Sequence, residues 1–338
     1  MQIAISAIVL FVLSYGCRPV RWNKAYISKE TTSTINGLFI ILVFLSHFSQ
    51  YAICVHNYVG QYLGLLVVVM FLFYSGYGCA AQYMAKGSAY MSAFPKKRIL
   101  TTIVNFDIAV AIFVVVGLFL GKSLTVKQVA SSFVCWDSVG NSNWYIFAII
   151  LCYSAFWLVF TKIAPKVCKS DGGGALQVVL FVIVICLSRV KPSWWYDTIM
   201  SFGAGVMYAI HKDEIETFVS RWYWVMLLGL AAAFVVIPHL PFVSRYHFAM
   251  FNMKSVAFAL LVVLLTMKFE LHSPVLAWCG KNLFPIYIYQ RIPMIVFSSA
   301  FPVAFGDWRC WLFCILSAAV TVCIALSYPK FRYSGSFK

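Results

Sequence analysis

Apolar runs of about 20 residues follow one another along the whole chain, separated only by short polar stretches. A run of that length is what an α-helix needs to cross a bilayer, because each residue advances the helix by about 1.5 Å. In hydrocarbon every backbone N–H and C=O must be satisfied within the protein, so repeated apolar runs predict a bundle of helices. The composition agrees: 62% of the residues are hydrophobic and only 11% are charged. Soluble domains carry about a quarter charged residues. No polar stretch is long enough to bury a core of its own, so the whole chain reads as one membrane domain.

The runs place spans at 2–16, 35–54, 59–82, 99–120, 145–161, 175–188, 197–210, 222–238, 249–268, 283–300 and 309–327. The predicted fold is therefore an all-α integral membrane protein of eleven spans, or ten, since 175–188 and 197–210 are short. The first run, QIAISAIVLFVLSYG, has no basic residue before it, whereas Arg18, Arg21, Lys24 and Lys29 follow it. That is the reverse of a signal peptide's charge order, so a retained first helix is expected.

A formal net charge of +16 raises the question of nucleic acid, but the basic residues are scattered among short loops. They are not gathered on one face, so nucleic acid is not an expected partner. They follow instead the excess of Lys and Arg on the cytoplasmic side of membrane proteins. With the N-terminus outside, the inner loops and C-terminal tail hold eighteen lysines and arginines and the outer loops six. This predicts a multi-pass protein of the plasma membrane with its N-terminus outside and its C-terminus in the cytoplasm. The eleven cysteines form no C-x-x-C pair, and most lie in or beside apolar runs, as small hydrophobes do. No metal site is expected.

Ionisable side chains inside spans are costly and are functional candidates by default. Four qualify: His47, Asp107, Lys254 and Arg291, with Asn36 and Gln290 as neutral companions. His47 lies about twelve residues into its span, about 18 Å from the inner boundary, and it is the only one of six histidines clearly within a span. Histidine exchanges a proton near neutral pH and so suits a general base. Asn36 precedes it by eleven residues, about three helical turns, so the two share a face. Asp107 and Arg291 each lie about eight residues from the inner boundary, so a buried ion pair between them is one expectation. Lys254 sits near the outer end of its span, where its chain can reach the interface. Lys97 and Arg98 close an inner loop, and Trp144 and Tyr145 open a span at the outer interface.

Several short motifs occur in a set order. NGLFIILVFLSH ends at His47; FLFYSGYG (71–78) ends the next span; Lys96, Lys97 and Arg98 follow; then come NWYIFAIILCY (143–153) and GKNLFPIYIYQRIPM (280–294). This series resembles the membrane acyltransferase family 3, whose members carry a basic residue, ten residues and then histidine in an early span. The likeness runs from about residue 29 to 300, roughly four fifths of the chain. It departs in two places: Asn36 stands for the basic residue, and Gln290 stands where a histidine is frequent. The resemblance divides the chain into an additional N-terminal helix and inner loop (1–28) and a family-like core (29–338).

The resemblance implies an O-acetyltransferase that uses acetyl-CoA as donor substrate, holds no permanent cofactor, and acetylates a cell-envelope glycan or lipid-linked sugar of a bacterium. His47 would be the catalytic residue, as base or as transient acyl carrier. Asn36, Lys97 and Arg98 would serve acyl-CoA, and Trp144, Tyr145, Lys254, Gln290 and Arg291 the acceptor. A secondary transporter or lipid-linked sugar flippase would also place sparse polar groups near mid-membrane. Its usual sign, paired and interrupted spans in two related halves, is not evident in the sequence.

Overall fold

The structure, a computed structural model, describes residues 15–51, 64–163, 169–240, 246–300 and 309–334. It is 80% helical. In chain order the helices used below are α1 (Lys29–Phe48), α2 (Val69–Lys86), α3 (Ser88–Phe94), α4 (Thr101–Phe119), α5 (Val126–Phe133), α6 (Trp144–Leu158), α7 (Lys169–Ser188), α8 (Met200–Ile210), α9 (Lys212–Val236), α10 (His247–Thr266), α11 (Pro274–Lys281), α12 (Leu283–Tyr289), α13 (Arg291–Ala300) and α14 (Arg309–Phe331).

An all-α membrane protein is what the chain forms, but the count of ten or eleven spans is not confirmed. Among the described residues seven helical stretches are long and apolar enough to cross a membrane: Lys29–Phe48, Gly64–Lys86, Ser88–Phe119, Trp144–Ile163, Lys212–Val236, His247–Thr266 and Arg309–Phe331. The expected span at 2–16 falls almost wholly outside those residues. The apolar helix Gly172–Ser188 is shorter than a full span, and α8 has only 11 residues. The run at 283–300 is interrupted at Gln290. Pro293 explains that interruption, since it has no N–H to donate to the carbonyl of Tyr289 four residues earlier.

By internal contacts the chain divides into two compact units. One comprises Met1–Val67, Thr102–Phe147 and Phe269–Lys338. Its axis is α1, started by Ser28, whose hydroxyl accepts from the backbone N–H of Thr31 at 3.2 Å. Ile40, Val43, Phe44 and His47 recur at helical spacing on its buried side. Against α1 lies α11, at a distance that only glycine allows. A Cβ added to Gly37 would run into the backbone of Leu276, and one added to Gly280 into the backbone of Ser33. Further along, Phe44 and Phe48 of α1 pack with Met294, Cys310 and Phe313 of α13 and α14. Cys310 is disulfide-bonded, which the reading of the cysteines as small hydrophobes did not anticipate. A two-stranded antiparallel ribbon pairs Cys17–Pro19 with Phe269–Leu271 in the register Cys17↔Leu271.

The second unit comprises Val68–Thr101 and Ala148–Lys268. Here the FLFYSGYG motif has a structural account. Gly76 of α2 faces the backbone of Phe202 on α8, and Gly205 of α8 faces the backbone of Phe73 on α2. Helices in lipid gain little from burying apolar side chains against one another, so small residues that allow close backbone approach carry their association. Phe94 closes α3 against Tyr90, Tyr153 and Phe156.

The two glycines of the SGYG motif provide an internal comparison, because nothing lies within 4 Å of a Cβ added at Gly78. Gly76→Ala and Gly37→Ala are expected to destabilise the purified protein by about 1–3 kcal/mol, the usual range for overpacking. Gly78→Ala should leave stability unchanged or slightly raised, since alanine favours the helix. Equal melting temperatures for Gly76→Ala and Gly78→Ala would refute this account of the motif.

Candidate active site

Three segments of the first unit bring their polar groups together at one point. His47, near the end of α1, is 8% exposed. The second contributor is Ser142, in the turn before α6, 2% exposed. Its position is fixed by a local hydrogen-bonded framework in which Asn143 Nδ2 donates to the carbonyls of Cys135 and Asp137, both at 2.9 Å. Asn141 Oδ1 accepts from the backbone N–H of Val139 at 3.1 Å. Such Asn side chains stabilise turns by replacing backbone partners. Gly140, with φ of 114°, adopts a conformation there that disfavours any other residue. The third segment is the junction of α12 and α13, which supplies Gln290 and Arg291.

The imidazole of His47 is held on both edges. Ser142 Oγ lies 3.4 Å from Nε2, and Gln290 Nε2 lies 3.1 Å from Nδ1. Gln290 is 0% exposed. Arg291 spreads its guanidinium over three oxygens: Nε donates to Tyr51 Oη at 3.0 Å, Nη1 to Ser142 Oγ at 3.4 Å and Nη2 to Gln50 Oε1 at 3.2 Å. All three acceptors are neutral. The ion pair expected between Asp107 and Arg291 is not formed among the described residues, and Asp107 Oδ1 is buried without a hydrogen-bond partner. Tyr287 backs the site, its ring centroid 6.2 Å from that of His47 and 5.1 Å from that of Tyr145.

The structure thus brings His47, Gln290 and Arg291 together and adds Ser142, which the sequence reading missed. The only sequence signal for Ser142 was the polar triplet Asn141–Asn143 placed directly before an apolar run. Tyr145 is buried behind Tyr287, and Trp144 stands beside it with ring centroids 6.3 Å apart. Asn36 lies on the same helix as His47 but three turns away, its Oδ1 buried without a partner. Lys97 and Arg98 belong to the second unit and not to a loop as expected: they lie in the π-helical segment Pro95–Leu100 within the continuous helical stretch Ser88–Phe119. The guanidinium of Arg98 neighbours Tyr90, Cys79 and Tyr153. Lys254, also in the second unit, holds its ammonium over Phe234 and Phe251 at 5.2 and 5.7 Å, a cation–π arrangement.

A histidine held on both edges, beside a hydroxyl and a cation, can exchange protons and stabilise developing negative charge. The family model of an acyltransferase domain matches residues 35–328, a stretch that contains every one of these residues. The chain belongs to the membrane acyltransferase family 3. Comparison with curated proteins and with solved structures gave no significant match. Membership assigns acyl transfer to this membrane protein and sets the transporter reading aside. No cluster of three or more His, Cys, Asp or Glu that could hold a metal occurs among the described residues of the acyltransferase.

Among the described residues, Ser142 is the side chain that lies within hydrogen-bond reach of both His47 and Arg291. A hydrogen bond to a charged group is worth about 1.5–3 kcal/mol, which is roughly tenfold to a hundredfold in rate. Ser142→Ala should therefore lower acyl transfer by about that factor in protein that folds and inserts normally. A wild-type rate in the alanine variant would remove Ser142 from the working site.

Proposed function

We propose that this protein is an O-acetyltransferase that moves an acetyl group from acetyl-CoA to a hydroxyl of a cell-envelope glycan or lipid-linked sugar, with His47 as the residue on which transfer depends. The observation that supports this most is the burial of His47 in a membrane-spanning helix, with both ring nitrogens engaged by Ser142 and Gln290. The two bonds fix the plane of the ring, and the 3.4 Å contact to Ser142 is the longer of them, so Nε2 is the nitrogen that a reactant's hydroxyl can take over.

In this reading acetyl-CoA approaches from a basic cytoplasmic face, and the acceptor arrives from within the membrane or from outside. The distribution of Lys and Arg favours an N-terminus outside and a C-terminus in the cytoplasm, and the family resemblance favours a bacterial plasma membrane. His47 either takes the hydroxyl proton as the oxygen attacks the thioester carbonyl, the C–S bond breaking and the proton passing to the departing coenzyme A thiolate, or displaces that thiolate itself and carries the acetyl group transiently to the hydroxyl. Lys97 and Arg98 contribute to binding of the phosphates of coenzyme A, for which lysine and arginine are suited. Asn36 cannot supply the positive charge found at its position in the family, and Arg291 is the cation nearest His47 among its described contacts. Gln290, Arg291, Trp144 and Tyr145 serve the acceptor side, with Lys254 assigned there by its place near the outer end of its helix.

Two measurements test this reading. General-base help is typically worth about 10²–10⁴-fold, so His47→Gln, which keeps size and hydrogen bonding but supplies no base, should lose detectable acetyl transfer while folding as the wild type does. Transfer within about threefold of the wild-type rate would leave His47 a structural residue and end the proposed mechanism. Replacing both Lys97 and Arg98 with Gln should raise the Michaelis constant for acetyl-CoA with little change in kcat. An unchanged constant would leave that cluster with a topological role alone.

A further inference from the structure

The pair Gln290 and His47 carries a consequence for where the imidazole proton sits. Gln290 Nε2 makes two contacts, one to the carbonyl oxygen of Tyr287 at 3.1 Å and one to His47 Nδ1 at 3.1 Å. A carbonyl oxygen can only accept, so the nitrogen and not the oxygen of the amide must face Tyr287. Turning the amide over would set two acceptor oxygens against each other in a site where Gln290 is wholly buried. The amide nitrogen has two hydrogens, and with one directed at Tyr287 the other is directed at Nδ1. Nδ1 then accepts, and in a neutral imidazole the proton is left on Nε2.

We infer that Gln290 is a positioning residue that fixes the resting tautomer of His47 with its proton on Nε2, donating to Ser142 Oγ. Arg291 Nη1 donates to the same oxygen, so two N–H groups converge on one hydroxyl, which accepts both through its two lone pairs. The inference concerns the resting state and stands apart from acetyl transfer. Joined to the proposed function, it adds a requirement. His47 can take a hydroxyl proton at Nε2 only in the other tautomer, and that form needs an acceptor opposite Nδ1. Gln290 Oε1, which is buried and has no hydrogen-bond partner, is the atom that would have to turn toward it.

The tautomer is directly measurable. Protein labelled with ¹⁵N-histidine, purified in lipid without substrate, would be studied by solid-state NMR, with the His47 signals identified by their loss in His47→Ala. The expected result is a protonated Nε2 and an unprotonated Nδ1. Gln290→Met, similar in size but without a donor, should lose that preference and show a second population protonated on Nδ1. A wild-type Nδ1 that carries the proton would overturn the inference by itself, even if the methionine variant failed to fold. So would a folded methionine variant whose His47 signals match those of the wild type. Neither outcome bears on whether acetyl is transferred, which the His47→Gln assay decides separately.

Discussion

The close crossing of α1 and α11 is the contact on which the site depends. Gly37 and Gly280 let each helix rest its backbone on the other, at Leu276 and Ser33. That contact brings the segment after α11, with Gln290 and Arg291, beside the helix that ends near His47. Between helices in lipid there is little hydrophobic gain, and closeness of packing is what holds them. A single methyl group at either glycine would push apart two segments whose polar side chains must meet at about 3 Å. The site's precision is therefore set some three turns away from it along α1.

The polar side chains of the site stabilise one another in surroundings that offer them little else. His47, Ser142 and Gln290 are all buried, and an unbonded polar group in such a place costs several kcal/mol in hydrocarbon. Their mutual bonds, with those of Arg291 to Tyr51 and Gln50, offset much of that cost. Aromatic rings of Tyr287 and Tyr145 close one flank. The Asn-rich turn before α6 holds Ser142 by bonding the backbone rather than by apolar packing.

Part of this was legible in the sequence. His47 stood out because a titratable group twelve residues into an apolar run has few ordinary reasons to be there. Gln290 and Arg291 stood out as polar residues inside an apolar run, though nothing in their own spacing pointed to His47, 243 positions away for Gln290. Ser142 was not found, because a serine in a polar turn is commonplace and its role arises only when distant segments meet. The span count was not confirmed for a different reason. Hydropathy registers apolar length, and it does not register that Pro293 interrupts 283–300 or that α8 ends after 11 residues. The expected ion pair of Asp107 with Arg291 failed because equal depth in the membrane says nothing about which way two helices face.

The interruption at Gln290 has a mechanical side. His47 is only 8% exposed, so little of its ring is open to a reactant in this state. An unbroken helix resists bending because every turn is tied to the next by backbone hydrogen bonds. At the joint between α12 and α13 one of those ties is already missing, since Pro293 has nothing to give the carbonyl of Tyr289. Bending is cheapest there, between Tyr289 and Pro293, the stretch that carries the amide against the histidine and the guanidinium over its serine. The least stiff point of that segment and the two residues that hold the histidine and its serine thus share one short stretch of chain.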